Sequence, residues 1–204
     1  MEDSYLTIDV ESRTETRVKG SRFIGESFLV TSAGQALTRL EQVRKREYQA
    51  THHCYAYVVG PTADKRFKYS DDGEPSGTAG KPIHDAIVGR GLTNTAVVVT
   101  RYFGGTKLGT GGLARAYSEA ARAVLDLSKV KTNYLTSRYR CILDFSPYDS
   151  WQRALHRLGA SVVDSQYADQ VTMIVEIRKS CAEQLKAAFV QLTSGKGSIE
   201  ETPS

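Results

Sequence analysis

The sequence predicts two α+β domains, over residues 1–130 and 131–204. Three observations carry that reading. Extended and helical patterns alternate through the first 130 residues. A polar, basic stretch at 128–136 then interrupts them, as a linker would. Beyond it the order is β-α-β-β-α, the plan of a split β-α-β domain of ferredoxin-like type.

In the first domain, Leu6, Ile8 and Val10 alternate with Tyr5, Thr7 and Asp9 as in a strand. A second extended stretch, 22–30, follows the Gly20-Ser21 break. Ser32 and Gln35 form a capping box for a helix with Ala33, Ala36, Leu37, Leu40 and Val43 on one face and Arg39, Glu41, Arg44, Lys45 and Arg46 on the other. HHCYAYVVG, 52–60, is a strand rich in aromatic and β-branched residues, closed by Gly60-Pro61. A short strand at 66–69 leads into a loop, and Pro82 suits the first turn of a helix that buries Ile83, Ala86 and Ile87. TAVVVTRYF, 95–103, holds four consecutive apolar residues, the pattern of a strand covered on both faces. GGTKLGTGG, 104–112, has five glycines in nine residues, and a helix with the stripe Leu113, Ala116, Tyr117, Ala120, Ala121, Val124 and Leu127 follows it.

The second domain opens with a strand at 135–145. Ser146-Pro147 reads as an N-cap with proline at the first helical position, and Tyr148, Trp151, Leu155 and Leu158 line the helix that Gly159 ends. Strands at 160–167 and 170–178 precede a second capping box, Ser180 with Glu183, and a helix burying Leu185, Ala188, Phe189 and Leu192. A last strand is expected near 198–201.

Composition narrows the function. Hydrophobic residues at 40% and charged residues at 25% suit a globular chain, and no apolar run approaches the roughly 20 residues of a membrane helix. MEDSYLTIDVES is acidic and has no apolar signal core, so no export is expected. Cys54, Cys141 and Cys181 are widely spaced and lack C-x-x-C, which argues against a disulfide framework or zinc knuckle and points to the cytoplasm. A net charge of +4 permits nucleic-acid binding without demanding it.

Two segments carry possible chemistry. GTGGLA, 109–114, matches the dinucleotide fingerprint in letters, but its glycines stand several residues past the strand and no acid-ended strand follows. The glycine-rich turn either presents helix N-terminal N–H groups to an anion, flanked by Arg101, Lys107 and Arg115, or only permits tight turns and close packing. SDDGEPSGTAGKP, 70–82, fails as a phosphate-binding P-loop, because Pro75 stands where the first glycine belongs and Pro82 follows Lys81. Its Asp71, Asp72 and Glu74 fit a magnesium or acid–base cluster, or simply a turn. His52 and Cys54 share a strand face and could join His84, although no third-ligand spacing supports zinc; no metal or cofactor is expected.

SDDGEPSGTAGKPI, VVVTRYFGGTKLGTGGLARAY, KGSRFIG at 19–25 and HHCYAYVVG together resemble the signature of the IMPACT family over nearly the whole chain. The resemblance implies a first domain similar to domain IV of elongation factor G, a ferredoxin-like second domain similar to its domain V, and a role in translation.

The leading expectation is therefore a cytoplasmic binding protein that regulates translation through RNA or a ribosome-associated partner. Its anion-binding residues would be Lys81, Arg101, Gly104, Gly105, Lys107, Gly109, Gly111, Gly112 and Arg115, with Tyr102 and Phe103 as stacking groups. Residues 70–82 would face the glycine loop across one shallow site. The alternative is a metal-assisted hydrolase or transferase on a phosphorylated small molecule, using Asp71, Asp72 and Glu74 with His52 or His84. A third reading is protein docking on the open sheet face of the second domain, where Thr172, Ile174, Glu176 and Arg178 offer one apolar residue.

Overall fold

The computed structural model describes residues 3–60 and 65–203. They form two units, residues 5–133 and residues 3–4 with 134–203.

The first unit contains β1 (Ser4–Ile8), β2 (Ser12–Val18), β3 (Ser21–Leu29), α1 (Ala33–Arg46), β4 (His52–Val59), β5 (Arg66–Ser70), α2 (Gly80–Val88), β6 (Thr95–Tyr102), α3 (Gly109–Leu127) and β7 (Val130–Tyr134). Five strands make one sheet in the order β2-β3-β6-β4-β5, and every neighbouring pair is antiparallel. β6 lies at its centre and is buried on both faces, as its apolar run requires. Val97 and Val99 meet Phe23, Cys54, Leu113 and Tyr117 under α2 and α3. Ala96 and Val98 meet Phe28, Tyr55, Tyr57, Leu40 and Val43 on the α1 side. Burial of Leu40 or Val43 contributes about 1.5–3 kcal/mol each.

The α1 cap forms: Ser32 Oγ accepts the Gln35 N–H at 3.2 Å. The reciprocal bond runs from the Thr31 N–H to Gln35 Oε1, at 2.8 Å. Arg44, Lys45 and Arg46 occupy the last turn, where cations oppose the helix dipole.

The second unit runs β8 (Thr136–Leu143), α4 (Tyr148–Leu158), β9 (Ser161–Tyr167), β10 (Val171–Arg178), a short 3-10 turn at Lys179–Cys181, α5 (Ala182–Thr193) and β11 (Ser198–Thr202). Its sheet order is β11-β8-β10-β9, antiparallel throughout, so the ferredoxin-like plan is complete and closed by its last strand. Trp151 and Phe189 meet edge to face at 5.0 Å in its core, among Cys141, Leu143, Leu155, Met173 and Leu185.

Three local expectations need correction, and one strand went unread. The stretch read as a linker contains β7, which pairs with β1. β2 escapes sequence reading because SRTETRV has one apolar residue; its register comes from β3, with Thr14 opposite Gly25 and Thr16 opposite Phe23. Ser180 does not cap α5: its N–H and Oγ–H both donate to Asp3 Oδ2, at 3.1 and 2.5 Å, while Glu183 pairs with Lys186. Ser146 does not cap α4 either, since Pro147 itself takes the cap position and no side chain bonds there. No helix among the described residues is long and apolar enough to cross a membrane.

Candidate ligand-binding site

The loop between β5 and α2 sends its three carboxylates in three directions. Asp71 Oδ1 accepts the N–H groups of Ala79 and Gly80 at 2.9 and 2.8 Å, and Oδ2 accepts that of Gly77 at 2.9 Å. Asp71 thus fills the N-terminus of α2, the place an anion would otherwise take. Burial works to raise its carboxyl, but these backbone donors outweigh it and hold the group below the ordinary carboxylate range. Asp72, at φ +45°, accepts from Arg44 Nη2 at 2.8 Å and from the His53 N–H at 2.7 Å, which ties the loop to α1 and β4. Gly80 has no alternative: an added Cβ would lie 2.7 Å from the Ser70 backbone.

Glu74 goes inward. Its Oε1 accepts from Arg101 Nη1 at 2.6 Å and from the Tyr117 hydroxyl at 2.8 Å, with the Glu74 and Arg101 side chains only 4% and 6% exposed. His52 Nε2 stands 3.8 Å from the same oxygen, while its Nδ1 donates to the Asp72 carbonyl at 2.8 Å. The Arg101 guanidinium lies near the rings of Phe23 and Phe103, at 5.6 and 5.4 Å, and its buried Nε has no protein partner.

Above this pair the glycine segment turns into α3. Gly104 packs on the β2–β3 turn so closely that a Cβ would stand 1.9 Å from the Gly20 carbonyl carbon. Gly105 and Gly109 hold φ of +85° and +71°. Leu108, at the cap position of α3, provides no side-chain bond to the first N–H groups. The result is a pocket of about 390 Å³ with Glu74 and Arg101, walls of Pro75, Phe103, Leu108 and Leu113, and Lys107, Gly109 and Thr110 at the helix start. The two glycine-bearing loops therefore meet at one pocket, through Glu74-Pro75 on one side and Phe103 to Thr110 on the other.

The remaining expected site residues are dispersed. Arg101 is no free phosphate ligand, because it is the counter-ion of Glu74. Lys81 lies outside the pocket and pairs with Asp85 at 2.6 Å on the exposed face of α2. Arg115 lines a separate depression along α3 with Ser118, Glu119 and Arg122. The Tyr102 hydroxyl donates to Glu47 Oε2 at 2.9 Å, with Arg22 stacked 4.3 Å above its ring. Gly111 and Gly112 lie in the first turn of α3, outside the pocket lining. His84 packs against Phe67 and Tyr69, with ring centroids 4.7 and 5.6 Å away.

With Asp71 and Asp72 engaged elsewhere, the acid–base arrangement of three carboxylates with His52 or His84 does not form. Among the described residues no three His, Cys, Asp or Glu side chains are placed to hold a metal ion. Cys54 is buried and donates to the Asp71 carbonyl at 3.0 Å; burial pushes its thiol up, away from a nucleophilic thiolate.

Sequence reasoning missed Pro75, Leu108, Thr110 and the hydroxyl of Tyr117. The signal for Arg101 was present: it shares parity with Val97 and Val99, and so belongs on the face that α3 covers.

Fold and site define a two-domain α+β protein with a binding pocket between two glycine-bearing loops. The first unit matches the Impact N-terminal domain over residues 19–125, and the second matches a domain of unknown function, DUF1949, over residues 141–196. The chain is 33% identical to the IMPACT family member YvyE of Bacillus subtilis, over 97% of this chain and 91% of that one. It is 30% identical to YigZ of Escherichia coli, over 95% of each. The crystal structure of a hypothetical protein covers all of both chains at 27% identity with a TM-score of 0.73. The chain belongs to the IMPACT family.

Proposed function

We propose that this chain is a cytoplasmic binding protein that acts on translation by holding RNA, on the ribosome or free, at the pocket of the two signature loops. One contrast carries the reading. The N-terminus of α2 is satisfied by Asp71, whereas the α3 N-terminus beside it has no side-chain cap and opens on a pocket with exposed Lys107. Uncapped N–H groups and a lysine attract a phosphate, and Phe103 offers an exposed ring for a neighbouring base. Membership of the IMPACT family, with the translational role that the signature implies, supports the same direction.

The test is binding to ribosomes and to structured RNA across a salt series, wild type against Lys107→Ala and Lys107→Glu. A phosphate contact at Lys107 predicts weaker binding and a log–log salt slope shallower by about one unit for the alanine variant. Absence of binding at low salt would overturn the reading.

A further inference from the structure

The segment KRFKYS, residues 65–70, plays no part in the pocket. It forms β5 at the edge of the five-stranded sheet, hydrogen-bonded to β4 on one side. Phe67 and Tyr69 lie opposite Val58 and Ala56, so both rings emerge on the α2 side of the sheet. They are 59% and 40% exposed, nearly parallel at 9°, with centroids 6.4 Å apart, and His84 of α2 supports both from beneath. Arg66 and Lys68 leave the same strand on its opposite face, and exposed Lys65 precedes them. None of these three cations is ion-paired among the described residues. Lys81 adds a fourth beside the rings, and its bond to the exposed Asp85 is worth little in water.

Two exposed, parallel aromatic rings on a strand with alternating cations match one ligand chemistry above others. A single-stranded nucleic acid offers flat faces to stack and a phosphate chain to neutralise, and both are recognised without sequence readout. A protein strand added to the same edge is the competing occupant. Three cations in four residues oppose it, because charged edge strands resist strand addition.

We infer that the exposed edge of β5, with Phe67 and Tyr69 as a stacking platform and Arg66, Lys68 and Lys81 around it, holds single-stranded RNA. This deepens the function proposed above and rests on its choice of RNA, but it uses different residues. The loop from Ser70 to Gly80 joins β5 to the pocket, so one strand of RNA could run from the platform to the α3 N-terminus.

The experiment is fluorescence anisotropy with a labelled oligouridine of about twelve nucleotides, within the usual site size of such surfaces. Wild type is compared with Phe67→Leu/Tyr69→Leu, which keeps His84 covered, with Lys68→Ala and with Lys107→Ala. An oligomer of the same length lacking bases is the second probe. The platform predicts about a ten-fold or greater loss for the double leucine variant with the salt slope unchanged, and a similar loss for the baseless oligomer on wild type. Lys68→Ala should flatten the slope.

Equal affinity of wild type and the leucine variant, or of native and baseless oligomers, would overturn the platform. If Lys107→Ala alone abolished binding, the platform would fall and the pocket would stand. If the leucine variant alone did so, the pocket would fall as the RNA site. If wild type bound no RNA, both would fall.

Discussion

Replacing Arg101 by methionine should damage the first unit severely, through the charge it leaves behind. The side chain is 6% exposed and its partner Glu74 is 4% exposed, with 2.6 Å between Nη1 and Oε1. Methionine fills much of the volume but leaves the Glu74 carboxylate buried against one remaining donor, Tyr117 at 2.8 Å. Stranding one member of a buried pair costs about 3–5 kcal/mol, a large part of a typical domain stability of roughly 5–15 kcal/mol. Tyr117→Phe removes one hydroxyl bond to a charged acceptor and should cost about 1.5–3 kcal/mol. Removing both charges, as Glu74→Gln/Arg101→Met, should cost clearly less than the sum of the two single changes, since neither leaves an unmatched ion behind. Urea unfolding followed by far-UV circular dichroism reads both units together, and the part of the transition not shared with Trp151 belongs to the first. The fluorescence of Trp151, the one tryptophan, reports the core of the second unit. A loss under about 1 kcal/mol for Arg101→Met, or single-site losses that simply add, would refute the account of Glu74 as a charge held by Arg101.

Other outcomes follow from the same geometry. Because the Asp71 carboxyl lies below its ordinary value of 3.8 in the folded chain, its contribution is complete above that value and is lost as pH falls through the folded one. Asp71→Asn should therefore cost about 1 kcal/mol at neutral pH, with a gap to wild type that closes below about pH 4 in acid-unfolding curves. Gly104→Ala should fail to give a stable fold, whereas Gly111→Ala, at a helical position with nothing within 4 Å of the added carbon, should gain about 0.5–1 kcal/mol in thermal unfolding. Ellman titration of the native chain should find Cys181 first: Cys54 and Cys141 are buried, and burial pushes the Cys141 thiol up to about 12. Phe189→Ala, which empties the ring packed on Trp151, should cost the second unit about 3–5 kcal/mol.

Much of the architecture was written in periodicity. The β6 run, the α3 stripe and the order of the second domain depend on apolar spacing, and apolar spacing is local. What escaped depended on partners distant in sequence. β2 carries almost no apolar signal and is held in register by β3. Ser180 looked like a helix cap and instead bonds to Asp3, 177 residues away. At the site, the meeting of the two loops could be suspected from their composition, but the fates of Asp71, Asp72 and Glu74 could not. These neighbours diverge because Asp72 and Gly73 both take positive φ, at 45° and 89°, turning each side chain toward a different element.

β2 has a practical consequence for anyone preparing the first domain by itself. The matched span, residues 19–125, begins one residue after β2 ends and stops before β7. A polypeptide cut to those limits would strip the covering strand from β3, whose FIGESFL would become a bare, largely apolar margin of the sheet. Self-association of such a fragment would then be a fault of its boundaries, easily mistaken for a dimer of biological meaning, and residues 5–133 are the safer unit to produce.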